Sequence, residues 1–223
     1  VKKGPVVAID GPAGSGKSTV ARLLAKRLQF THIDTGALYR GVALLALEKK
    51  ADLREEASVV AAARGVKFEF RPADGGISLH LDGRNVGTEI RTEEVSAASS
   101  LVSAFPGVRA LLLSLQRDLG AGGSVVLEGR DIGTVVFPYA EVKIFLTASL
   151  EARASRRADE LANRGTTPDL EQVKAEMARR DTQDSTRAIA PLKQASDAVL
   201  VDTSGMSIES VLDRLESIVR NAQ

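Results

Sequence analysis

Residues 11–18 read Gly11-Pro12-Ala13-Gly14-Ser15-Gly16-Lys17-Ser18, a G-x-x-x-x-G-K-S spacing that few folds can accommodate. The run before it, Val6-Val7-Ala8-Ile9, is apolar, ends at Asp10 and reads as a buried strand. After Lys17 the apolar residues fall at Val20, Leu23, Leu24 and Leu28, which is helical spacing. Glycines in such a loop let successive backbone N–H groups turn inward around an anion. The following helix adds the positive end of its dipole. Lys17 can reach the β- and γ-phosphates of a nucleotide, and the Ser18 hydroxyl can ligate Mg2+. A plain glycine turn with an exposed lysine would need neither the strand before it nor the helix after it. ATP or GTP is therefore the implied ligand.

The rest of the chain continues the alternation. Phe30 to Asp34 is short and β-prone, and Leu38 to Leu47 is helical again. Ser124 to Leu127 and Val142 to Leu146 are apolar runs of the kind found in strands buried on both faces. Leu150 to Arg164 and Asp169 to Arg180 are predicted helices, the first carrying Arg153, Arg156, Arg157 and Arg164. Ala198 to Val201 is a last strand. Ser207 to Val219 is a last helix with Ser207 at its N-cap. Between these lies a different texture. Val66 to Phe70 and Ile77 to Leu81 alternate strictly, separated by Pro72-Ala73-Asp74-Gly75-Gly76 and followed by Asp82-Gly83. That is an antiparallel meander inserted at about 66–86. The whole predicts an α/β fold with a parallel sheet covered by helices.

Composition narrows the function. The 223 residues, 43% hydrophobic and 26% charged, suit one α/β domain rather than a disordered chain or a rod. With 30 basic against 29 acidic residues, binding nucleic acid through phosphate charge is not expected. Aromatics at 4% also disfavour base-stacking platforms. The absence of cysteine excludes disulfides and thiolate chemistry. No apolar run approaches the ~18 residues of a membrane helix, and Val1-Lys2-Lys3-Gly4-Pro5 lacks the apolar stretch of a signal peptide. A cytoplasmic monomer without membrane or nucleic-acid partners is the expectation.

No guanine-reading N-K-x-D segment occurs. The strand Val125-Val126-Leu127 ends in Glu128, which either holds magnesium through water or anchors a neighbouring loop. The 20 Arg against 10 Lys favour planar, forked recognition of phosphates. Arg153, Arg156 and Arg157 share one helix face, which repels itself unless an anion visits or Asp159 and Glu160 screen it. Two anionic substrates held in line are what phosphoryl transfer requires. A small-molecule phosphotransferase is the reading.

Several runs carry a resemblance. They are Ala8-Ile9-Asp10-Gly11-Pro12; Asp34-Thr35-Gly36-Ala37-Leu38-Tyr39-Arg40; Glu89-Ile90-Arg91-Thr92; and Ala104-Phe105-Pro106-Gly107-Val108-Arg109. Glu128 to Pro138 follows, then Arg180-Asp181 with Asp184, Arg187 and Ala190-Pro191-Leu192. In these the chain resembles the bacterial-type cytidylate kinases, which are nucleoside monophosphate kinases. The resemblance implies a P-loop kinase fold with a five-stranded parallel sheet flanked by helices, a small antiparallel β insert and a helical lid. It implies a single domain over 1–223, a monophosphate-binding region at 35–110 and a lid at 150–188. It implies phosphorylation of CMP and dCMP by ATP with Mg2+. ATP would lie on Gly11, Pro12, Ala13, Gly14, Ser15, Gly16, Lys17, Ser18 and Thr19, with the lid residues Arg153, Arg156 and Arg157, and Ser18 would meet the metal. Ser100, Arg109 and Asp131 would read cytosine. Arg40, Arg130 and Arg187 would clamp the α-phosphate. Arg180 and Asp184 would hold the ribose, and Tyr39, beside Thr35, would wall the acceptor. Lys17, Arg130, Arg187 and Arg157 would carry the transfer.

Simpler readings stand beside these. Ser100 can be a polar residue on an amphipathic helix, Arg130-Asp131 a structural pair, Arg180-Asp181 a surface pair and Asp184-Arg187 an i,i+3 helix pair. A kinase for UMP, AMP or a coenzyme precursor, or a non-catalytic nucleotide-binding protein, would use the same loop.

Overall fold

The computed structural model describes residues 3–73, 76–163 and 165–222. The Asp74-Gly75 turn and Arg164 lie outside the described residues. The chain divides into two compact units, one of residues 1–31 with 123–223 and the other of residues 32–122.

The first unit is the α/β part. β1 (Val6–Asp10) pairs in parallel with β6 (Val125–Gly129) on one side and β7 (Val142–Thr147) on the other. β7 pairs in parallel with β8 (Val199–Asp202). β2 (Thr31–Asp34), of which Thr31 alone falls in this unit, stands first in the five-stranded order β2-β6-β1-β7-β8. At its start the Thr31 N–H donates to Ser124 O at 2.9 Å. The central strand β1 is buried from Val7 to Asp10, as a near-continuous apolar run requires. α1 (Lys17–Leu28) and α8 (Ile208–Asn221) pack Val20, Leu24, Leu212 and Leu215 into a core with Val7, Ile9, Ile144 and Leu146. Arg27 ties these two helices at the surface through Glu209, Asp213 and Glu216.

Caps follow the sequence. Ser207 Oγ accepts from Ser210 N, as expected at the start of α8. α6 (Leu150–Ala162) is capped by Ser149, and α7 (Leu170–Thr186) by Asp169. α7 runs well past the expected end at Arg180. Its last turns, Asp181 to Thr186, have weak helix propensity. There Thr182, Ser185 and Thr186 donate their hydroxyls to the carbonyls of Ala178, Asp181 and Thr182, which spends the competing side chains inside the helix. The α6–α7 pair shares a small core of Ala154, Leu161, Val173 and Met177.

The second unit is mostly helical. α2 (Gly36–Glu48) is apolar almost all round and buries Leu38, Val42 and Leu45. Around it stand α3 (Glu56–Ala63), α4 (Glu93–Val102) and α5 (Pro106–Gly120). Pro106 opens α5 at the first helical position, and Thr92 Oγ1 caps α4 by accepting from Val95 N. The expected meander is present as β3 (Phe68–Ala73), β4 (Gly76–Leu81) and β5 (Arg84–Asn85), all antiparallel. Leu79 and Leu81 turn inward to the core of α2. Among the described residues no single helix is long and apolar enough to cross a membrane.

Candidate active site

In the first unit the glycine loop joins β1 to α1. Gly11 lies so close to β7 that a Cβ there would stand 2.0 Å from the Leu146 carbonyl oxygen, so only glycine fits. α1 begins at Lys17 with Gly16 as its N-cap, no capping side chain and no acidic residue in the first turn. Its first N–H groups are thus left for an anion. The Lys17 ammonium is buried and donates to Pro12 O at 2.6 Å and Ser15 Oγ at 3.3 Å. Burial, helped by the nearby Arg130 guanidinium, pushes it down to about 7. Glu128 and Asp184 act the other way. The Ser18 hydroxyl donates to Glu128 Oε2 at 2.7 Å, and Glu128 is only 3% exposed.

Asp10 lies buried at the end of β1, and no local pattern in the sequence marks its partners. Its two carboxylate oxygens accept from the backbone N–H of Ile132 (2.8 Å) and Gly133 (2.7 Å), the start of a single π-type turn at Ile132–Val136. It thereby fixes the segment that follows Arg130 and Asp131. Burial pushes its carboxyl up to about 6 against those two hydrogen bonds and Lys17, with Asp131 adding to the rise.

Two ion pairs gather beside this. Arg130 Nε donates to Asp184 Oδ2 at 2.8 Å. Arg187 Nη2 lies 3.4 Å from Asp131 Oδ1, both side chains being 6% exposed. Arg187 also lies 3.9 Å from Asp184. Four residues expected to meet the acceptor are therefore one network, buried at Asp131, Asp184 and Arg187 and half-buried at Arg130. Arg180 is half-buried one turn before Asp184.

The three α6 arginines are not left facing one another. Arg153 donates to Ala148 O, Ala13 O and Asp181. Arg156 donates to Thr203 O and Oγ1, and Arg157 to Glu160. The charge of this face is compensated by protein acceptors, of which the sequence suggested Glu160 but neither Asp181 nor Thr203.

The second unit holds the remaining expected residues. Arg40 pairs with Asp34, whose other oxygen accepts from Ala37 N. Burial alone would raise the Asp34 carboxyl, but Arg40, His32 and Arg91 hold it below the usual range. Thr35 is buried beside it. Arg109 lies over the Tyr39 ring, 5.4 Å from its centroid, and donates to Ser103 O at 3.1 Å. Ser100 is half-buried on α4.

A parallel sheet with a G-x-x-x-x-G-K-S loop between its central strand and a helix defines the class: a P-loop phosphotransferase. The fold covers 97% of this chain when matched to the crystal structure of an uncharacterized protein from Eubacterium ventriosum ATCC 27560, and 98% of that chain, at a TM-score of 0.51 and 9% identity. The family model for cytidylate kinase matches residues 7–221. A cytidylate kinase of Pelotomaculum thermopropionicum is 53% identical over 210 residues, 93% of this chain and 92% of that one. Another, from Geobacillus sp. (strain WCH70), is 49% identical over 213 residues, 96% and 95% of the two chains. The chain belongs to the cytidylate kinase family.

Proposed function

We propose that the protein transfers the γ-phosphoryl group of ATP to CMP and dCMP, giving ADP with CDP or dCDP. The observation that carries the reading is the network Arg130–Asp184 and Arg187–Asp131, close enough to the loop lysine for Arg130 and Asp184 to act on its charge. The chain acts as one kinase domain, with the monophosphate-binding region at 35–110 and the lid at 150–188.

ATP rests on residues 11–19, with Lys17 on its outer phosphates. An anionic oxygen of the CMP phosphate attacks the γ-phosphorus. The bond from that phosphorus to the β,γ-bridging oxygen breaks, and its electron pair leaves with ADP. The attacking oxygen is already ionised, so no general base is needed. Asp131 is accordingly a recognition residue. Arg130, Arg187 and Arg40 bind the α-phosphate, exchanging carboxylate partners for phosphate oxygens. Ser100 and Asp131 accept from the cytosine amino group, and Arg109 donates to the adjoining ring nitrogen and carbonyl. Uracil reverses part of that edge and leaves buried polar groups unpaired. Arg180 and Asp184 take the ribose hydroxyls, and Tyr39, with Thr35 near it, bounds the acceptor. Arg156 and Arg157 on the lid neutralise charge on the transferring group and exclude water.

Ser18 Oγ and Glu128 Oε2 form a hard-oxygen pair of the kind Mg2+ takes together with phosphate oxygens and water. Ser18, with Glu128 beside it, would hold the ion, which would supply positive charge to offset that of the phosphates. A coupled assay of ADP release across CMP, dCMP, UMP and AMP tests the reading. Turnover with CMP and dCMP well above UMP and AMP is expected; release independent of any monophosphate would overturn it.

A further inference from the structure

A single buried guanidinium joins the glycine loop to α6 and α7. Arg153, 6% exposed, donates from Nε to Ala148 O at 3.0 Å, from Nη1 to Ala13 O at 3.1 Å and from Nη2 to Asp181 Oδ2 at 2.6 Å. All three of its nitrogens thus donate to protein oxygens. Ala13 belongs to the loop, Ala148 precedes α6, and Asp181 belongs to α7. An independent contact runs in parallel. Gly14, at φ +73°, lies so near both helices that an added Cβ would stand 2.6 Å from Met177 Cε and 3.2 Å from Arg153 Cβ. The apex of the loop is therefore packed on α6 and α7 as well as hydrogen-bonded to them.

The spacing along α7 gives this contact a consequence. Asp181, Asp184 and Arg187 follow at i, i+3 and i+6, on one face of the helix and its C-cap. Asp181 receives Arg153, Asp184 receives Arg130, and Arg187 faces Asp131. The helix that presents the acceptor network is thus the same helix that holds the loop.

We propose that Arg153 and Asp181 are positioning residues for the transfer: through the Ala13 carbonyl the pair fixes the glycine loop to α7, and so sets the donor loop in register with Asp184 and Arg187. This rests on the reading that the loop takes ATP and that Asp184 and Arg187 take the acceptor. It gives Arg153 a different task from the ligand of the ATP phosphates that the resemblance implies. A planar guanidinium can bridge a carbonyl and a carboxylate at once, whereas an ammonium on a flexible stem acts as a point charge. In-line transfer is sensitive to misplacement, with about 1 Å costing on the order of a hundredfold in rate.

The test compares D181N, R153Q, R153K and the double variant D181N/R153Q in the full chain. The readouts are kcat, KM for ATP and CMP, and thermal melts. D181N and R153Q are each expected to lower kcat by about tenfold or more, with KM for ATP changed less than about threefold. The double variant should be no worse than the poorer single, because the residues act as one unit. R153K should be as poor as R153Q. D181E, which keeps the charge, should recover part of kcat, and it decides the matter if D181N melts below the assay temperature. The proposal is overturned if D181N turns over within about twofold of wild type, if the two losses multiply, or if R153K is active and R153Q loses only ATP affinity. A wild-type protein inactive with CMP would sink the functional reading itself. An active wild type with an unaffected D181N sinks only this inference.

Discussion

Arg187 and Asp10 show how the same burial serves two ends. The Arg187 side chain, 6% exposed, faces two carboxylates and donates from Nε to Ala190 O. A phosphate oxygen presented there meets a guanidinium already oriented, and such preorganised charge is the larger part of electrostatic catalysis. Arg187→Ala should lower kcat with CMP by about a hundredfold or more, read in the ADP-release assay with far-UV circular dichroism to confirm the fold. Asp10 instead carries a cost. Its carboxyl is raised from 3.8 to about 6, mainly by burial. For a raised carboxyl the contribution to stability is full below the unfolded value and is lost as pH rises through the folded one. Between about pH 4 and pH 8 the wild type should therefore lose on the order of 3 kcal/mol more stability than Asp10→Asn. Urea unfolding of both proteins across that range measures it; parallel pH profiles would remove the buried charge from the account.

At the scale of elements, the β1–loop–α1 unit and the α6–α7 pair are built differently. β1 is covered on both faces and bonded on both edges by β6 and β7. Among the described residues, the apolar core that α6 and α7 share is small, with Ala154, Leu161, Val173 and Met177 and Leu150 against them. Local opening follows buried apolar contact. Amides of α6 and α7 should exchange with deuterium faster than those of β1, β6 and β7, and the difference is measurable by mass spectrometry of the exchanged peptides. Equal protection would contradict it. These elements also differ in how well the sequence announces them. The loop, β1 and α1 were legible because apolar period and glycine spacing are local properties. The end of α7 was not, because the Asp, Ser and Thr residues of 181–186 have weak helix propensity, while the arginines that pair with Asp181 and Asp184 come from distant elements.

Among the described residues two large apolar cores stand beside the small one of α6 and α7. One gathers Leu38, Val42, Leu79 and Leu112 in the second unit. The other gathers Ile9, Leu24, Leu146 and Leu215 in the first. Leu112 is 1% and Leu215 0% exposed, so truncation leaves a cavity in either. Leu112→Ala and Leu215→Ala should each cost about 2–5 kcal/mol in urea unfolding. A loss below about 0.5 kcal/mol, the level of ordinary surface substitutions, would show that the site is not core.

The amino-acid sequence by itself determined the anion-binding loop, the alternation of strand and helix that makes a parallel sheet, and the antiparallel insert. These follow from torsions, caps and periodicities spanning a few residues. The distant partners of the arginines, unlike the local pairs Arg157–Glu160 and Arg187–Asp184, were decided only in three dimensions. Arg130 meets Asp184 from 54 residues away, Arg153 meets Ala13 from 140 and Asp10 meets Gly133 from 123. A charged residue's neighbours across such distances are set by how whole elements pack, and no local pattern encodes them.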